Sequence, residues 1–321
     1  METQAIGSLT ASRVGLGCNN FGSRIDEEQA AAVVGAALDA GITFFDTADV
    51  YGGTLSEEFL GRALGRHRDE AVIATKFAMP LGDEGRGGAS AGWVAEAVEG
   101  SLRRLGTDRI DLYQQHVPDE TVPIEETQGA LDDLVRAGKV REIGNSNFSD
   151  AQIDAAAALS AERGWAQFAT AQNHLSLLER APLRRVAPAC ERHGMALLPY
   201  FPLASGLLTG KYRRGEPPPP GTRLAVMPEQ RVSQVLTQRN LDLVDALTAF
   251  AAARDHTILD LAFAWLAAQP AVGPIIAGAT SPEQVRANVA AIDWTLTPDD
   301  LAEIDTILAE PEPEPEPEPS A

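Results

Sequence analysis

The sequence predicts a (β/α)8 barrel, an α/β fold in which eight parallel strands close on themselves inside a ring of helices. Eight short apolar segments alternate with longer amphipathic ones along the 321 residues. From the second segment onward, successive segments end 27 to 40 residues apart, at Asp46, Lys76, His116, Asn145, Gln172 and Tyr200. This is the length of one strand-helix unit. Strands that are apolar on both faces are typical of a parallel sheet covered by helices.

The predicted strands are the segments 13–18, 42–46, 71–76, 110–116, 140–145, 168–173, 196–200 and 273–278. Helices are predicted between them, most clearly at 26–41 and 123–139. The second helix begins with Pro123 and ends beside Gly138, as helix boundaries commonly do. An open, doubly wound sheet is the alternative architecture. The segment GLGCNNFG has Asn20 where a dinucleotide-binding fingerprint has its third glycine, so it does not favour that alternative.

Two segments depart from the repeating pattern. Residues 213–238 are predicted to form a long loop after the seventh strand, either a cover for a bound ligand or a surface insertion. From Glu310 the chain is a Pro-Glu repeat, which cannot bury apolar surface and repels itself. It therefore predicts a disordered, extended tail rather than a docking peptide. The expected organisation is a single barrel domain at 1–309 and a tail at 310–321.

The composition excludes several classes of partner. A formal net charge of −20 opposes binding to nucleic acid or to an anionic membrane surface. The two cysteines, Cys18 and Cys190, form no disulfide framework, and no basic, apolar leader opens the sequence. No apolar run approaches the roughly 18 residues that a membrane span needs. The expected location is the cytoplasm, and any anionic ligand must be held by local donors.

Four reactive side chains fall at or just after the ends of predicted strands two to four: Asp46, Tyr51, Lys76 and His116. The carboxyl ends of barrel strands meet at one face, where active sites are built. A lysine that ends an apolar strand needs a charged partner, because an unpaired buried charge costs several kcal/mol, and Asp46 is the expected one. Each residue alone has a structural explanation, such as a helix cap or a solvated tyrosine. Their joint placement favours catalysis.

This arrangement suggests that Tyr51 donates a proton. With a charged Lys76 about 4 Å from the tyrosine oxygen, the attraction for a phenolate is about 4 kcal/mol at an effective dielectric constant near 20. We therefore expect the pKa of Tyr51 to fall from about 10 toward neutral pH, where a general acid works best. His116 is expected to orient a substrate carbonyl or to donate a hydrogen bond to its oxygen.

Around these residues the sequence resembles the aldo-keto reductase family, over nearly the whole chain except the tail. FFDTADVYG, IATKF and LYQQH resemble the three segments that carry the family's Asp, Tyr, Lys and His tetrad. GKVREIGNSNFS, QNHLSLLER, PYFPLASGLLTGKY and GATSPEQVRANV resemble four further segments in the family's order. The most similar branch contains bacterial oxidoreductases and potassium channel beta subunits.

The resemblance implies NAD(P)H-dependent reduction of an aldehyde or ketone to an alcohol, with hydride from the nicotinamide and a proton from Tyr51. It makes Asp46, Tyr51, Lys76 and His116 the catalytic tetrad. It also implies a set of cofactor contacts from the nicotinamide to the adenosine: Asn19, Asp46, Ser146, Asn147, Gln172, Tyr200, Pro202, Leu203, Gly206, Leu208, Lys211, Gly278, Thr280, Gln284 and Asn288. Tyr200 would stack on the nicotinamide, and the small Gly206 would let backbone N–H groups approach the phosphates.

NADPH is the expected cofactor, and NADH is the alternative. Many family members have a lysine and an arginine at the positions of Gly278 and Gln284, where they bind the 2′-phosphate of NADP. This sequence lacks both cations, which weakens the expected preference. Arg286 or Arg223 could replace them. His174 stands where relatives often have an acidic residue.

Other functions are weighed against this one. A nicotinamide-binding partner subunit with little turnover is the main alternative, since some relatives keep the tetrad and act mainly as partners. A Schiff-base lyase using Lys76 is disfavoured because an adjacent Asp46 keeps the amine protonated. The five histidines show no His-x-His or His-Glu-x-x-His spacing, so no metal site is predicted.

The expected partner is a small carbonyl compound whose identity the sequence does not indicate, and the same holds for the oligomeric state. An apolar wall for this compound could come from Phe21, Tyr51, Phe77, Met79 and Trp93.

Overall fold

The chain folds into a closed barrel of eight parallel strands, which confirms the predicted fold class. The structure is a computed structural model that describes residues 1–82 and 85–309. In chain order, the strands are β1 (Thr3–Ile6), β2 (Leu9–Ser12), β3 (Val14–Gly17), β4 (Phe44–Asp46), β5 (Val72–Phe77), β6 (Ile110–Gln115), β7 (Val140–Ser146), β8 (Phe168–His174), β9 (Ala196–Tyr200) and β10 (Ile275–Gly278). Strands β3 to β10 form the barrel, which closes where β10 pairs with both β3 and β9. Each predicted strand segment overlaps one of these eight.

Helices follow the strands and cover the outside of the barrel. The described residues form α1 (Glu27–Asp39), α2 (Leu55–Leu64), α3 (Ala91–Leu105), α4 (Ile124–Arg136), α5 (Asp150–Arg163), α6 (Ala181–His193), α7 (Glu229–Val235), α8 (Gln238–Ala252), α9 (Ile258–Ala267), α10 (Pro282–Ala290) and α11 (Pro298–Ile307). The first and fourth lie in the segments predicted most clearly. Asp26 caps α1 in a capping box with Gln29, which satisfies amide groups that the first turn leaves unpaired.

An antiparallel hairpin of β1 and β2, which the sequence analysis did not predict, packs against the amino ends of the barrel strands. Ile6, Leu9 and Ala11 are buried with Phe44 and Val72, the first residues of β4 and β5. The hairpin therefore covers the end of the barrel interior opposite the strand carboxyl ends. Each of its strands has four residues, too few for alternating hydrophobicity to stand out from a loop.

The segment 213–238 is more ordered than the predicted loop. It contains a short 3₁₀ turn at Leu224–Val226 and the seven-residue helix α7, and Leu224 is buried in the core. A helix of two turns that follows a proline-rich stretch gives too little periodicity for detection in a sequence. The predicted Pro-Glu tail at 310–321 lies outside the described residues and stays a prediction.

Candidate active site

The four predicted catalytic residues meet at the carboxyl end of the barrel. Asp46 is the last residue of β4, Lys76 lies near the end of β5, and His116 directly follows β6. Tyr51 begins a short 3₁₀ turn after β4. Because neighbouring parallel strands end at the same face, these distant segments bring their side chains to one place.

Two glycines shape the turn that carries Tyr51. Gly52 and Gly53 have φ angles of 59° and 64°, in the left-handed region that favours glycine. A Cβ on Gly52 would lie 2.2 Å from the carbonyl oxygen of Phe21. The turn therefore packs directly against the loop after β3, and this contact fixes where the Tyr51 side chain leaves the backbone.

Lys76 is fully buried beneath the site, where its Nζ makes three polar contacts. It donates to Asp46 Oδ2 at 2.7 Å and to the carbonyl oxygen of Thr47 at 2.9 Å, and it lies 3.5 Å from the Tyr51 hydroxyl. These contacts account for all three hydrogens of the ammonium group. The predicted pairing of Lys76 with Asp46 is present in the structure.

The other oxygen of the Asp46 carboxylate accepts hydrogen bonds from two glutamines. Nε2 of Gln172 lies 2.8 Å from Oδ1, and Nε2 of Gln114 lies 3.4 Å from it. Gln114, on β6, was not among the predicted site residues, although a polar residue inside a fully buried strand is an unusual feature of the sequence. The two amides satisfy the buried carboxylate and orient it toward Lys76.

Burial changes the pKa values of Lys76 and Tyr51, whose side chains contact each other. Burial lowers the pKa of Lys76, but attraction by Asp46 and Tyr51 outweighs it, and the net pKa is raised. For Tyr51, burial is the largest cause and raises the pKa of the phenol, while Lys76 lowers it by less. The expected fall in the pKa of Tyr51 is therefore wrong. Removal from water disfavours the phenolate more than the ammonium group favours it, so Tyr51 stays protonated.

His116 is a neutral imidazole in this environment. Burial, followed by repulsion from Lys76, lowers its pKa to about 3. Its ring meets the ring of Tyr51 edge to face, with centroids 5.6 Å apart. Within the described residues, its buried Nδ1 has no hydrogen-bond partner. A neutral imidazole carries one N–H, so His116 can donate to a carbonyl oxygen without adding charge to the site.

A cavity of about 820 Å³ opens at these residues, a size found among cofactor and ligand pockets. Tyr51 and His116 line it. Most of the predicted cofactor residues line it as well: Asn19, Asp46, Ser146, Asn147, Gln172, Tyr200, Pro202, Leu203, Gly206, Lys211, Gly278, Thr280, Gln284 and Asn288. The fold therefore brings three of the four predicted catalytic residues, and all but one of the predicted cofactor residues, to one continuous surface.

The segment around Gly206, which was predicted to bind the cofactor phosphates through its backbone, differs from that expectation. Leu208 is buried in the core and does not line the cavity. The amides of Gly206 and Leu208 donate to the carbonyl oxygen of Leu203, at 2.8 and 3.2 Å, so they are not free to approach an anion. Glycine is needed at 206 for a different reason. A Cβ there would lie 2.7 Å from Cε of Lys211, at a φ of 91°.

Tyr200, which is predicted to stack on the nicotinamide ring, is held in place by neighbouring side chains. The Tyr200 hydroxyl donates to Asn147 Oδ1 at 2.8 Å, and Asn147 Nδ2 donates to the carbonyl oxygen of His116 at 3.0 Å. His174 lies outside the cavity lining and stacks on the Tyr200 ring, with centroids 5.5 Å apart and planes 14° apart. A hydrogen bond and a stacked ring thus fix the orientation of Tyr200.

Among the described residues, three cationic side chains line the cavity: Arg24, Lys211 and Arg223. Nη2 of Arg24 donates to the carbonyl oxygen of Gly221 at 2.8 Å, which joins the loop after β3 to the segment 213–238. Burial first and the charge of Arg24 second lower the pKa of both Lys211 and Arg223. Asp46 is the one acidic residue among the described residues of the lining. The cavity therefore concentrates positive charge within an acidic chain.

The two arginines considered for the 2′-phosphate lie in different places. Arg223 lines the cavity, whereas Arg286 pairs with Glu283 at 3.0 Å and lines a separate cavity. There is little room for a longer side chain at Gly278, because a Cβ at this position would lie 3.2 Å from Nδ2 of Asn20. Of the two suggested substitutes, only Arg223 is positioned to face a cofactor.

Part of the predicted apolar wall lines the cavity. Tyr51 and Met79 do so, together with Val117. The other three predicted residues are not in the lining: Phe21, Phe77 and Trp93. They pack into the core around the barrel, because apolar strand ends and the first turns of helices also serve the packing of sheet against helix.

The geometry also bears on the other chemistries considered. Lys76 is fully buried with a raised pKa, so its amine is protonated and poorly suited to Schiff-base formation. Within residues 1–82 and 85–309, no group of three His, Cys, Asp or Glu side chains is placed to hold a metal ion. No helix of the described chain has both the length and the apolar character that crossing a membrane requires.

Comparison with known proteins identifies the family. The sequence profile of the aldo/keto reductase family matches residues 13–309, a range that contains all eight barrel strands. The chain belongs to the aldo/keto reductase family. The hairpin of β1 and β2 precedes the matched range.

Relatives of this aldo/keto reductase match it over most of their length. The aldo-keto reductase YhdN of Bacillus subtilis is 37% identical over 308 residues, which cover 94% of this chain and 91% of that protein. A probable voltage-gated potassium channel subunit beta of Oryza sativa subsp. japonica is 32% identical over 294 residues, 90% of each. The structure of a glycerol dehydrogenase from Gluconobacter oxydans has a TM-score of 0.82 at 32% identity and covers 99% of this chain and 98% of that one. These relatives confirm the predicted branch of the family.

Proposed function

We propose that this aldo/keto reductase uses NAD(P)H to reduce an aldehyde or a ketone to an alcohol. Family membership supports the coarser statement that it is an oxidoreductase. The observation that carries the finer proposal is the contact of a buried Lys76 with both Asp46 and Tyr51 at the edge of a large cavity. This contact puts a protonated phenol where a bound carbonyl can meet it.

A nicotinamide dinucleotide fits the chemistry of the cavity lining. The cations Arg24, Lys211 and Arg223 suit its phosphates, and the Nε atom of Arg223 is buried with no partner among the described residues. The residues that would hold the nicotinamide are Ser146, Asn147, Gln172 and Tyr200, and those near the adenosine are Gly278, Thr280, Gln284 and Asn288. When bound, the cofactor supplies the hydride.

In this proposal Tyr51 is the general acid. Its phenol gives a proton to the oxygen of the carbonyl as negative charge develops there, a contribution typically worth about 10²- to 10⁴-fold in rate. Lys76 stabilises the phenolate that remains, and Asp46 keeps Lys76 charged and oriented. The neutral His116 donates a hydrogen bond to the same oxygen, so the substrate is both polarised and positioned.

We further propose that NADPH is preferred and that the segment 213–238 slows its release. Support for the cofactor preference comes from the lining cations Arg24, Lys211 and Arg223, which favour the more negatively charged of the two cofactors. Support for the cover comes from the hydrogen bond between Arg24 and Gly221, which ties the segment to the loop after β3 at the cavity. A cytoplasmic location accords with the composition.

The test is a fluorescence titration of the purified protein with NADPH and NADH, followed by a panel of aldehydes and ketones that includes 4-nitrobenzaldehyde and glyceraldehyde. We expect saturable binding of both cofactors, tighter for NADPH, and loss of cofactor fluorescence when a carbonyl compound is added. Absence of binding by either cofactor would contradict the proposal. Tighter binding of NADH would overturn the cofactor preference alone.

A second candidate is a nicotinamide-binding partner subunit with little turnover. It is favoured by the 32% identity to a protein named as a probable potassium channel subunit beta. The same titration discriminates between the two functions. Tight cofactor binding with negligible turnover on the whole panel would favour the partner subunit, whereas turnover that depends on Tyr51 favours the reductase.

A further inference from the structure

A second buried ionisable cluster lies directly behind the catalytic tetrad. Asp49 and Glu57 are fully buried carboxyl groups, on the loop after β4 and on α2. The backbone N–H of Asp49 donates to the carbonyl oxygen of Lys76 at 3.2 Å, and Tyr51 follows two residues later. The cluster is therefore attached through the backbone to both partners of the proton-donating contact.

The two carboxyl groups of this cluster have opposite surroundings. Oε1 of Glu57 accepts from the Thr75 hydroxyl at 2.6 Å, and Oε2 accepts from Nε of Arg104 at 2.7 Å. Both oxygens of Asp49, by contrast, are buried and have no hydrogen-bond partner among the residues that the structure describes. The guanidinium of Arg104 is thus bonded to Glu57, and an ionised Asp49 would be a buried anion with no side-chain donor, stabilised by the nearby backbone N–H of Val50 and by the charges of Arg104 and Lys76.

A buried tyrosine lies close enough to this cluster to interact with both of its carboxyl groups. The OH of Tyr113, on β6, is also without a partner in the described part of the chain, and its pKa is raised by burial first and then by Asp49 and Glu57. The two groups do not bond to each other directly in the structure. A carboxylic acid that keeps its proton can meet such a hydroxyl through a water at far smaller cost than a carboxylate can be buried. The geometry of the cluster thus favours an uncharged Asp49.

The balance of effects on the pKa of Asp49 also favours the uncharged form. Burial first and the charge of Glu57 second raise its pKa to about 7, and the opposing effects of Arg104, the Val50 amide and Lys76 are smaller. Glu57 on α2, Arg104 on α3, Tyr113 on β6 and Lys76 on β5 are the ionisable groups that face it. The change of charge therefore falls in the pH range where the enzyme would work.

We propose that Asp49 is a proton-holding residue that tunes the acidity of Tyr51 through Lys76. While Asp49 is neutral, it adds no negative charge that would oppose the positive field of Lys76 at the phenol. When Asp49 ionises, its negative charge offsets part of that field, the phenolate of Tyr51 is less stabilised, and proton donation becomes harder. Asp49 does not line the cavity and does not contact the reacting atoms. It is therefore a positioning residue, which acts on Tyr51 through Lys76.

The part of the proposal that concerns catalysis rests on the proposed reductase function, whereas the protonation of Asp49 does not. Infrared difference spectra of wild type and Asp49→Asn test the protonation directly. We expect the spectra at about pH 6 to contain the C=O stretch of one protonated carboxyl group, which disappears by about pH 8.5. Absence of this band at about pH 6 would overturn the proposal whether or not the protein reduces carbonyl compounds.

The pH profile of kcat/KM for carbonyl reduction tests the coupling to Tyr51. We expect Asp49→Asn to match wild type at about pH 6 and to be about threefold faster at about pH 8.5, the effect of half a pKa unit on the general acid. Glu57→Gln removes the anion that most opposes ionisation, so it should move the wild-type transition to lower pH. Parallel profiles of wild type and Asp49→Asn would refute the coupling.

Asp39→Asn is the matched control, because it removes an exposed aspartate at the end of α1. It should reproduce the wild-type profile and infrared spectrum. If Asp49→Asn does not fold, Tyr113→Phe keeps the coupling testable: it removes the hydroxyl that faces Asp49 while leaving the carboxyl group in place, and it should shift the pH transition. An unchanged transition in both Tyr113→Phe and Glu57→Gln would contradict the proposal.

Discussion

The floor and the mouth of the cavity are built in different ways. At the floor, buried strand ends hold Lys76, Asp46 and Gln172 in hydrogen bonds of 2.7 and 2.8 Å. At the mouth, a hydrogen bond of 2.8 Å between Arg24 and the Gly221 carbonyl oxygen joins two loop segments that are accessible to solvent.

This difference separates two kinds of function. Groups fixed by a close-packed barrel can hold a reacting atom within a few tenths of an ångström, as proton transfer requires. Loop contacts at a solvent-accessible edge open at small cost, as cofactor exchange requires. Substitutions at the floor should therefore alter the rate of chemistry and the stability of the fold, and substitutions at the mouth should alter cofactor binding.

The largest effect is expected from Lys76→Met. Removal of the ammonium group leaves Asp46 as a buried charge without its cation, and breaking a buried pair in this way costs about 3–5 kcal/mol of unfolding free energy. Chemical denaturation measures the loss. The double variant Lys76→Met/Asp46→Asn should recover much of it, because the uncompensated charge is gone.

The matched control for this floor variant is Lys139→Met, which removes a partly exposed lysine paired with Glu99. Exposed pairs contribute about 0–1 kcal/mol, so this variant should stay close to wild type. If Lys76→Met and Lys139→Met lowered the unfolding free energy equally, the claim that the buried pair at the floor matters more than an exposed pair would be contradicted.

A smaller effect, dependent on pH, is expected from His116. The pKa of His116 is about 3 when folded and about 6.5 when unfolded, so the unfolded chain takes up the proton first as pH falls. The stability that His116 contributes is complete above about pH 6.5 and is lost below it, by about 3 kcal/mol at about pH 4.5.

Denaturation curves at several pH values test this loss, with His116→Gln and His67→Gln compared to wild type. The His116→Gln curve should flatten between about pH 6.5 and 4.5, whereas His67→Gln, which removes a half-buried histidine in the 3₁₀ turn after α2, should follow wild type. Identical slopes for wild type and His116→Gln would show that the floor does not hold a neutral imidazole.

The smallest effect is expected at the mouth. Arg24→Gln removes one cation from the cavity lining and the hydrogen bond to Gly221, so NADPH should bind about tenfold more weakly, mainly through faster release. Stability should change by less than about 0.5 kcal/mol. Stopped-flow fluorescence measures the release rate.

Arg213→Gln is the matched control, since it removes an exposed arginine of the same segment that does not line the cavity. Its release rate should equal that of wild type at physiological salt. If Arg24→Gln destabilised the fold as much as a floor variant, the two regions would not differ in the way proposed.

The floor could be predicted from the sequence because its residues end strands. An apolar run that stops at Asp46 or contains Lys76 marks a buried polar position, and the spacing of the runs places those positions on one face. The same reasoning applies to Gln114, a polar residue within the buried strand β6 that was not among the predicted site residues. The direction of the Tyr51 pKa could not be predicted, because burial is a property of the assembled fold and here exceeds the effect of the neighbouring ammonium group.

The mouth was harder to predict because its contacts depend on loops. Nothing in the local sequence of Arg24 indicates that it reaches Gly221, almost 200 residues further along the chain. The hairpin of β1 and β2 and the helix α7 are short elements whose apolar residues are explained by what they pack against, not by a periodic pattern. The resemblance to the family identified the turn from Leu203 to Leu208 as part of the site. It did not indicate that amides of this turn are already hydrogen-bonded within the turn.

The central claim is that the phenol of Tyr51 supplies the proton at the floor of a nicotinamide cavity. Single-turnover reduction of 4-nitrobenzaldehyde by enzyme saturated with NADPH tests it directly in Tyr51→Phe, together with the dissociation constant of NADPH. We predict that hydride transfer slows by about 10²- to 10⁴-fold while the dissociation constant stays within about twofold of wild type. A Tyr51→Phe enzyme that reduces the aldehyde as fast as wild type would contradict the account.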